Sequence, residues 1–507
     1  MANKKQHLIY TPTPTVKKMH DRLKVVDALL GGTASIHNNL YLGTGQRQTS
    51  MIDYIPKEVG EQPDVWRNRL LRTYVTPYFS NAVTSATGTI FRVPPTLSSS
   101  SVLDPRIKDL LDNNVDLEDA DIMQYAMEAQ NVAFAKGMAI SVAFFYNPSG
   151  SDSLADQKET GARPYLKTID PIDLLGFKID KNNKVVMIRF REQVKASVDG
   201  AEEWWGDEVE ERITVLTPTR FETYSRAGDK VYSSGSISRI DPYTGSTLNN
   251  EVPIKVLYGR KINSLICAPV FEDLAWINVH HTQATSDLSW SNHFSLIPFL
   301  FATLPESVDP KQFNIGTLSS SVTMKLPVDG NIKWIETTGV PQTQGRAFIK
   351  DIEGRMSLAT MTSDVGAAGT RETATGRAID ANHVSAKLRL HAEAMESWLD
   401  GITELLCSFY TDLDSVPKIK WQCNKDFEIT VDNSVFVQLT SDVVAGRISW
   451  DRYLTECKRR GVYSEDLDVM AEIEKMKAAG IDINKKTKNE ISDSESDPES
   501  DSNDTEE

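Results

Sequence analysis

The sequence has few cysteines, no long uninterrupted hydrophobic run and no basic excess, and each absence excludes a class of protein. Its four cysteines in 507 residues lie far apart, which excludes a disulfide scaffold and a cysteine-rich zinc module. The longest apolar run, residues 294–304, contains Pro298 and is too short to span a bilayer. No apolar segment follows the basic residues at the N-terminus, as a secretory signal would require. We therefore expect a soluble intracellular protein with no membrane partner.

The charge excludes a further class. The chain has 55 Lys and Arg against 71 Asp and Glu, a net charge of −16, whereas a protein that coats nucleic acid carries a basic face. Nine of the acidic residues lie in 490–507 and account for −9 of the net charge. The rest of the chain therefore carries −7. This segment has too few apolar side chains to offset the entropy cost of ordering. It predicts a disordered acidic tail over 485–507.

Motifs of known chemistry are also missing. No phosphate-binding loop or dinucleotide-binding glycine pattern follows a predicted strand. The adjacent pair His280-His281 would point about 100° apart on a helix, so these two side chains are poorly placed to share a metal. We accordingly assign no catalytic, cofactor-binding or metal residue and expect no cofactor. A metal-dependent DNA-processing enzyme stays an alternative, because carboxylate sites of such enzymes follow no spacing rule.

The order of helical and strand-like segments predicts an α+β fold. A polar arm with one short helix near 15–30 precedes a mixed block, in which one helix begins at Asp64, kinks at Pro77 and stops near Gly88. From Pro269 a stretch without glycine predicts a helix of roughly 40 Å. After it come a glycine-punctuated β-like module, a second helix, a Gly/Ala-rich loop and a third helix of nearly 40 residues. This succession is the most informative feature of the sequence.

Five segments, taken in order, resemble the portal-protein family of tailed bacteriophages, the head-to-tail connectors. They begin YIPKEVGEQPDVWRNRLLRTYV, RPYLKTIDPIDLLGF, APVFEDLAWINVHHTQ, RETATGRAIDANHVSAKLRL and, at the end, NKDFEI followed by LTSDVVAGRISWDRYLTECKRRGV. The resemblance covers roughly residues 50–480.

The resemblance implies an elongated multi-domain portal fold with a wing, a helical stem, a small α/β clip and a helical crown. In this sequence the implied divisions are an N-terminal arm (1–50), the wing (51–268), a first stem helix (269–305), the clip (306–341), a second stem helix (342–361), a tunnel loop (362–371), a long helix with return strands of the wing (372–437), the crown (438–484) and the acidic tail (485–507).

The resemblance also implies a function without enzymatic activity. Portal subunits form a ring, typically a dodecamer, at one capsid vertex, and double-stranded DNA is packaged and ejected through its channel. The implied partners are the terminase large subunit and later a tail adaptor protein on the clip, with major capsid and scaffolding proteins on the wing. The implied location is the virion, and the host cytoplasm during assembly. A ring-forming adaptor without a stem is a second alternative.

The resemblance to portal proteins also suggests candidate functional residues. The DNA-facing candidates are Lys350, Thr362, Ser363, Arg371 and Arg377, while intersubunit salt bridges are the alternative role for the three cations. The clip residues expected to face terminase or adaptor are Lys311, Lys325, Lys333 and Trp334. A net acidic subunit suits a conduit, because few phosphates would then be neutralised and DNA could slide.

Overall fold

The computed structural model describes most of the chain. The described residues are 9–42, 49–98, 103–147, 161–195, 209–225, 231–244, 246–248, 250–296, 299–303, 331–335, 339–360, 374–410, 418–425, 427, 433–459 and 469–478. The chain divides into two compact units, residues 1–427 and 428–507. Among the described residues, helix makes up 50% and strand 21%, which confirms a fold of mixed helices and sheets, as expected of the α+β class.

The first unit contains helices and strands in alternating groups. Its helices are α1 (Pro14–Leu30), α2 (Gly32–Leu42), α3 (Pro63–Leu70), α4 (Tyr78–Ile90), α5 (Pro105–Asn113), α6 (Ile122–Lys136), α7 (Glu272–Ser295), α8 (Val340–Ala359) and α9 (Ala374–Cys407), with a 3-10 turn at Met51–Tyr54. Its strands are β1 (Thr96–Leu97), β2 (Met138–Tyr146), β3 (Arg163–Ile169), β4 (Leu174–Ile179), β5 (Val185–Lys195), β6 (Val209–Leu216), β7 (Arg220–Ser225), β8 (Val231–Ser236), β9 (Ile254–Tyr258), β10 (Lys261–Asn263), β11 (Ile266–Cys267), β12 (Phe299–Thr303), β13 (Asn331–Ile335) and β14 (Trp421–Gln422).

Strand β2 lies at the centre of the first unit. It pairs antiparallel with β3 and β9, while β4 to β8 form a separate antiparallel meander. Because strand side chains alternate between faces, Met138 and Ile140 contribute to a core shared with α1 and the meander, whereas Ala139 and Ala143 contribute to one shared with α6 and α9. β2 is thus buried on both faces, as its nearly continuous apolar sequence predicts.

A glycine joins α6 to β2 at the point where α7 begins. Gly137 ends α6 with a positive φ of 92°, and a Cβ there would lie 2.0 Å from the carbonyl oxygen of Ala268. Only glycine satisfies both conditions without strain. This close approach brings the start of α7 against the C-terminal end of α6, where the Val270 amide donates to the Phe134 carbonyl.

The prediction of an extended polar arm is wrong for residues 9–42, which include α1 and α2. α1 includes the short helix expected near 15–30, but it is packed into the core rather than extended. Val16, Met19, Leu23 and Val26 are fully or almost fully buried and recur at helical spacing on one face. The segment is polar on average, so its composition alone does not reveal this apolar stripe. Lys136, itself 8% exposed at its side chain, also pairs with Asp27 of α1.

The single kinked helix predicted from Asp64 to about Gly88 is also wrong. Two helices, α3 and α4, are separated by residues 71–77. Pro77 has no amide hydrogen and disfavours helical geometry at the residue before it, so α4 begins only after it. In the connection, the amide of Val75 donates to the Thr33 hydroxyl at 2.9 Å.

The helix predicted within residues 269–305 is shorter than expected. α7 ends at Ser295, and residues 299–303 form β12, which pairs antiparallel with β13. Pro298 stands between the two elements, and the aromatic and β-branched residues after it favour a strand. The strand pair therefore includes residues that were assigned to the stem helix rather than to the clip.

The second unit contains α10 (Asn433–Val444), α11 (Trp450–Arg459) and α12 (Val469–Ala478). The side chains of Val443, Leu454, Cys457 and Ile473 are buried in this unit. The first of these helices begins at Asn433, before residue 438, where the crown was expected to start. Across the described part of the chain, no helix is both long and apolar enough to cross a membrane.

Candidate functional site: a cleft along the helical hairpin

Helices α7 and α8 pack side by side in antiparallel directions, and we call the pair the helical hairpin. Gln342, near the start of α8, donates to Ser291, near the end of α7, at 3.3 Å. Further along, Glu353 lies 3.5 Å from His281. At their other ends, Ile352 and Met356 join a buried cluster with residues from the beginning of α7. One end of the hairpin is thus anchored in the core, and the antiparallel pair β12–β13 lies in the chain between the two helices.

The face of α7 toward the α3–α4 connection is polar. Asn278 accepts from the Phe79 amide at 3.1 Å and donates to the Thr76 carbonyl, also at 3.1 Å. Thr73 and Ser286 share a hydroxyl hydrogen bond of 2.8 Å. The connection contains backbone groups outside regular helix, and these α7 side chains supply their partners. The contacts fix residues 73–79 along the helix.

A cleft opens between this connection, α7 and α8, and we call it the basic cleft. Its volume is about 820 Å³. The cationic and imidazole side chains that line it are Arg72, His281, His293, Arg346 and Lys350, and the single carboxylate is Glu353. The remaining lining residues are polar or apolar: Tyr74, Thr76, Thr285, Leu288, Ser289, Asn292, Leu296 and Ile349.

The cations of the basic cleft differ in how they are held. Arg72 stacks over the Trp290 ring at 5.5 Å and approaches the His293 ring nitrogen at 3.3 Å, so two aromatic side chains fix its position. Arg346 and Lys350 are exposed, and neither has an ion-pair partner among the residues that the structure describes. They are four residues apart on α8 and therefore lie on the same side of the helix. The cleft thus has an excess of positive charge in an acidic protein.

His281 is the most buried of these side chains, with 2% of its surface exposed. Neither ring nitrogen has a hydrogen-bond partner in the described chain, although Nε2 lies 3.5 Å from Glu353. Its ring also packs edge-on against Tyr78 at 5.5 Å. Burial lowers the pKa of His281, and the nearby Glu353 carboxylate opposes that shift. The imidazole thus presents unused hydrogen-bonding capacity beside the cations.

Large apolar side chains are exposed along the same helices. Leu296 is 82% and Leu358 is 87% exposed, at the end of α7 and of α8 respectively. Trp276, Val340, Phe348 and Leu390 are each about half exposed or more. Single exposed apolar residues are ordinary, but a series of them along one hairpin and the next helix indicates a surface that another molecule covers.

The structure describes some of the predicted site residues and not others. Lys350 lines the basic cleft, and Lys333 is exposed on β13, where it pairs in register with Phe301. Trp334 lies on the same strand and Arg377 on α9, and only their backbone is described. The other candidates, Thr362, Ser363, Arg371, Lys311 and Lys325, lie outside the described residues, as do the predicted tunnel loop (362–371) and acidic tail.

The other residues of the cleft were not among the candidates predicted from the sequence. Arg346 could have been found from its spacing of four residues from Lys350 on a predicted helix. Arg72 and His281 come from distant parts of the chain, and no sequence spacing joins them. Among the described residues, no three His, Cys, Asp or Glu side chains are grouped so as to hold a metal ion.

Comparisons with known proteins found a matching family profile and similar solved structures. A family profile described as "Domain of unknown function (DUF4055)" matches residues 270–410, which span α7 to α9. No curated protein matches the chain. Among solved structures, the chain is similar to one described as "Virion of native gene transfer agent (GTA) particle", with 10% identity and a TM-score of 0.38. That similarity covers 81% of this chain and 93% of the other.

Proposed function

We propose that this protein is a structural subunit of a phage or phage-like virion, and specifically a portal subunit without catalytic activity. Many copies would form a ring, typically of twelve, at one capsid vertex, with a channel for double-stranded DNA. The helical hairpin would be the stem and the β12–β13 region part of the clip. The terminase large subunit and then a tail adaptor would dock on the clip, and capsid and scaffolding proteins on the wing.

The observation that carries the proposal is the helical hairpin with its exposed apolar residues. The 24 residues of α7 extend about 36 Å, and the residues that it contributes to the buried hydrophobic core, Leu274, Ala275 and Val279, lie in its first half. A monomer gains nothing from displaying Leu296, Val340 and Leu358 to water. Identical hairpins placed side by side around an axis would cover such residues, and head-to-tail contacts between identical subunits form a ring when their rotation closes.

The succession of elements from α7 to α9 is the second support. It is the order of stem helix, clip, stem helix and long helix that the sequence resemblance implies. The net charge of −16 is compatible with a channel wall that lets DNA pass without holding it, since few phosphates would be neutralised.

Imaging of the purified protein tests the proposal. Negative-stain or cryo-electron microscopy is expected to reveal rings with a central hole, in which the number of subunits can be counted. Mass measurement in solution should give the same number. A protein that stays monomeric at every concentration and salt condition would contradict the ring, and rings without a projecting stem would favour an adaptor instead.

A further inference from the structure

The charges that line the basic cleft are unbalanced. It holds three cations and two imidazoles against one carboxylate, and Arg346 and Lys350 have no ion-pair partner in the described chain. Exposed cations alone would be an ordinary solvated surface. The additional observation is His281, which is almost fully buried yet has no hydrogen-bond partner for either ring nitrogen. Buried polar groups of folded proteins are ordinarily hydrogen-bonded, and no described residue makes such a bond to this imidazole.

The surroundings of the cleft indicate what kind of partner fits. Tyr74 and Leu296, which line it, are 55% and 82% exposed. A phosphate backbone prefers hydrogen-bond donors and cations and gains little from an apolar rim, whereas a protein surface can offer carboxylates together with apolar side chains. A second copy of this chain is rich in such carboxylates, with 71 Asp and Glu residues and an overall negative charge.

We propose that the basic cleft is one half of the contact between neighbouring copies of this chain, and that it receives Asp or Glu side chains of the next copy. Arg346 and Lys350 would pair with these carboxylates, and Tyr74 and Leu296 would be covered at the same time. Arg72 is already positioned for this role by Trp290 and His293. This inference rests on the proposed ring, because the site is complete only when two copies meet.

Cross-linking tests the contact directly. Full-length protein labelled with ¹⁵N is mixed with unlabelled protein, assembled, and treated with a carbodiimide, which joins a lysine amine to a carboxylate in contact with it. Mass spectrometry is expected to find Lys350 joined to an Asp or Glu of the other isotopic population. Links only within one population, or no link at Lys350 in assembled protein, would overturn the proposal.

Charge reversal gives an independent measure. In the double variant Arg346→Glu, Lys350→Glu, the concentration needed for assembly should rise about thirtyfold or more, because two buried contacts of opposite charge become repulsive. The matched control is Arg355→Glu, which changes an exposed cation of the same helix outside the cleft lining and should assemble as the wild type does. Circular dichroism verifies that both variants are folded.

The outcomes separate this inference from the proposed function. If wild type forms rings and the double variant forms them equally well, the ring stands and the assignment of the cleft is wrong. If the variant assembles normally but loses affinity for a double-stranded DNA fragment, the cleft contacts nucleic acid, and the proposed copy-to-copy contact is again wrong. If wild type forms no ring, the proposed function itself fails.

Discussion

At the scale of single residues, Arg69 joins three parts of the first unit. Its side chain is 4% exposed and binds Glu61 through two nitrogens, at 3.1 and 3.0 Å. The same guanidinium donates to the Pro56 carbonyl at 2.8 Å and lies 3.4 Å from Asp287 on α7. The Arg69 guanidinium also holds the pKa of the Glu61 carboxyl below its usual value. A two-pronged donor with this many partners has no equivalent in lysine.

We therefore expect Arg69→Met to lower the free energy of unfolding of the first unit by about 3 kcal/mol, because it leaves a buried carboxylate without its partner. Arg69→Lys should lower the free energy of unfolding by less than Arg69→Met does, but still by a measurable amount. Arg67→Met, on the exposed side of the same helix, is the control and should have almost no effect. Thermal and denaturant unfolding measure the difference, and equal stabilities of the Arg67 and Arg69 variants would refute this role.

A partly buried histidine makes stability depend on pH. His391 of α9 packs edge-on against Phe134 at 4.8 Å, and burial lowers its pKa from 6.5 to about 4. Between these two values only the unfolded chain binds a proton at this residue, so stability falls as the pH falls from 6.5 toward 4. At pH 5 the loss amounts to about 2 kcal/mol.

The variant His391→Gln should lose this part of the pH dependence. Unfolding is compared at about pH 7.5 and about pH 5 for wild type and variant, and the difference between the two pH values should be smaller in the variant. His280→Gln, which changes an exposed histidine, should leave the wild-type difference unchanged. An unaltered pH difference in His391→Gln would mean that this imidazole is not the titrating group.

At the scale of elements, the two helices of the hairpin approach closely at one glycine. A Cβ added at Gly345 of α8 would lie 3.0 Å from the Leu288 methyl group of α7, whereas one added at Gly354 would meet nothing within 4 Å. Replacing glycine by alanine inside a helix ordinarily stabilises it by roughly 0.5–1 kcal/mol. The two positions therefore differ in whether a side chain of α7 lies next to the glycine.

Gly354→Ala should consequently raise the free energy of unfolding by up to about 1 kcal/mol, while Gly345→Ala should gain little. Gly345→Leu should destabilise by about 1–3 kcal/mol, because the added side chain forces the helices apart. Thermal unfolding of the three variants tests this ordering. If Gly345→Leu were as stable as Gly354→Ala, the helices would not be in contact at this point.

The elements that could be predicted from sequence are those whose signal is local. The helix observed at Val340–Ala359 lies within two residues of the predicted bounds 342–361 at each end, because Gly339 and Pro341 mark its start. The burial of α1 could not be predicted in the same way, since its partners, such as Cys267 beside Met19, are distant in sequence. The basic cleft could not be predicted for the same reason. Lys350 was a candidate, but Arg72 and His281 are brought next to it only by tertiary packing.

At the scale of the whole molecule, the three hydrophobic cores of the first unit end with Phe427. None of their members is among the described residues of 428–507, which are 433–459 and 469–478. The buried apolar clusters of the first unit are therefore formed by its own described residues. This unit includes the hairpin and the basic cleft.

A chain truncated after Thr430 is accordingly expected to fold and to unfold at the same temperature as the first unit of the full-length protein. A chain that ends before Lys418 is the matched control, and it should be less stable because it loses Ile419, Trp421 and Phe427 from the cores. Circular dichroism on heating compares the two. Loss of folding in the longer truncation would mean that residues 431–507 belong to the same cooperative unit.

The burial of α1 also affects how the protein is made. Arg22 of this helix pairs with Glu272, 250 residues later in the chain, and Met19 contacts Cys267. At a synthesis rate of 5–20 residues per second, the ribosome needs about 12–50 s to deliver the later partners. During that interval an apolar stripe that ends up buried is already synthesised and without its native cover, so the nascent N-terminus is a natural client for a chaperone.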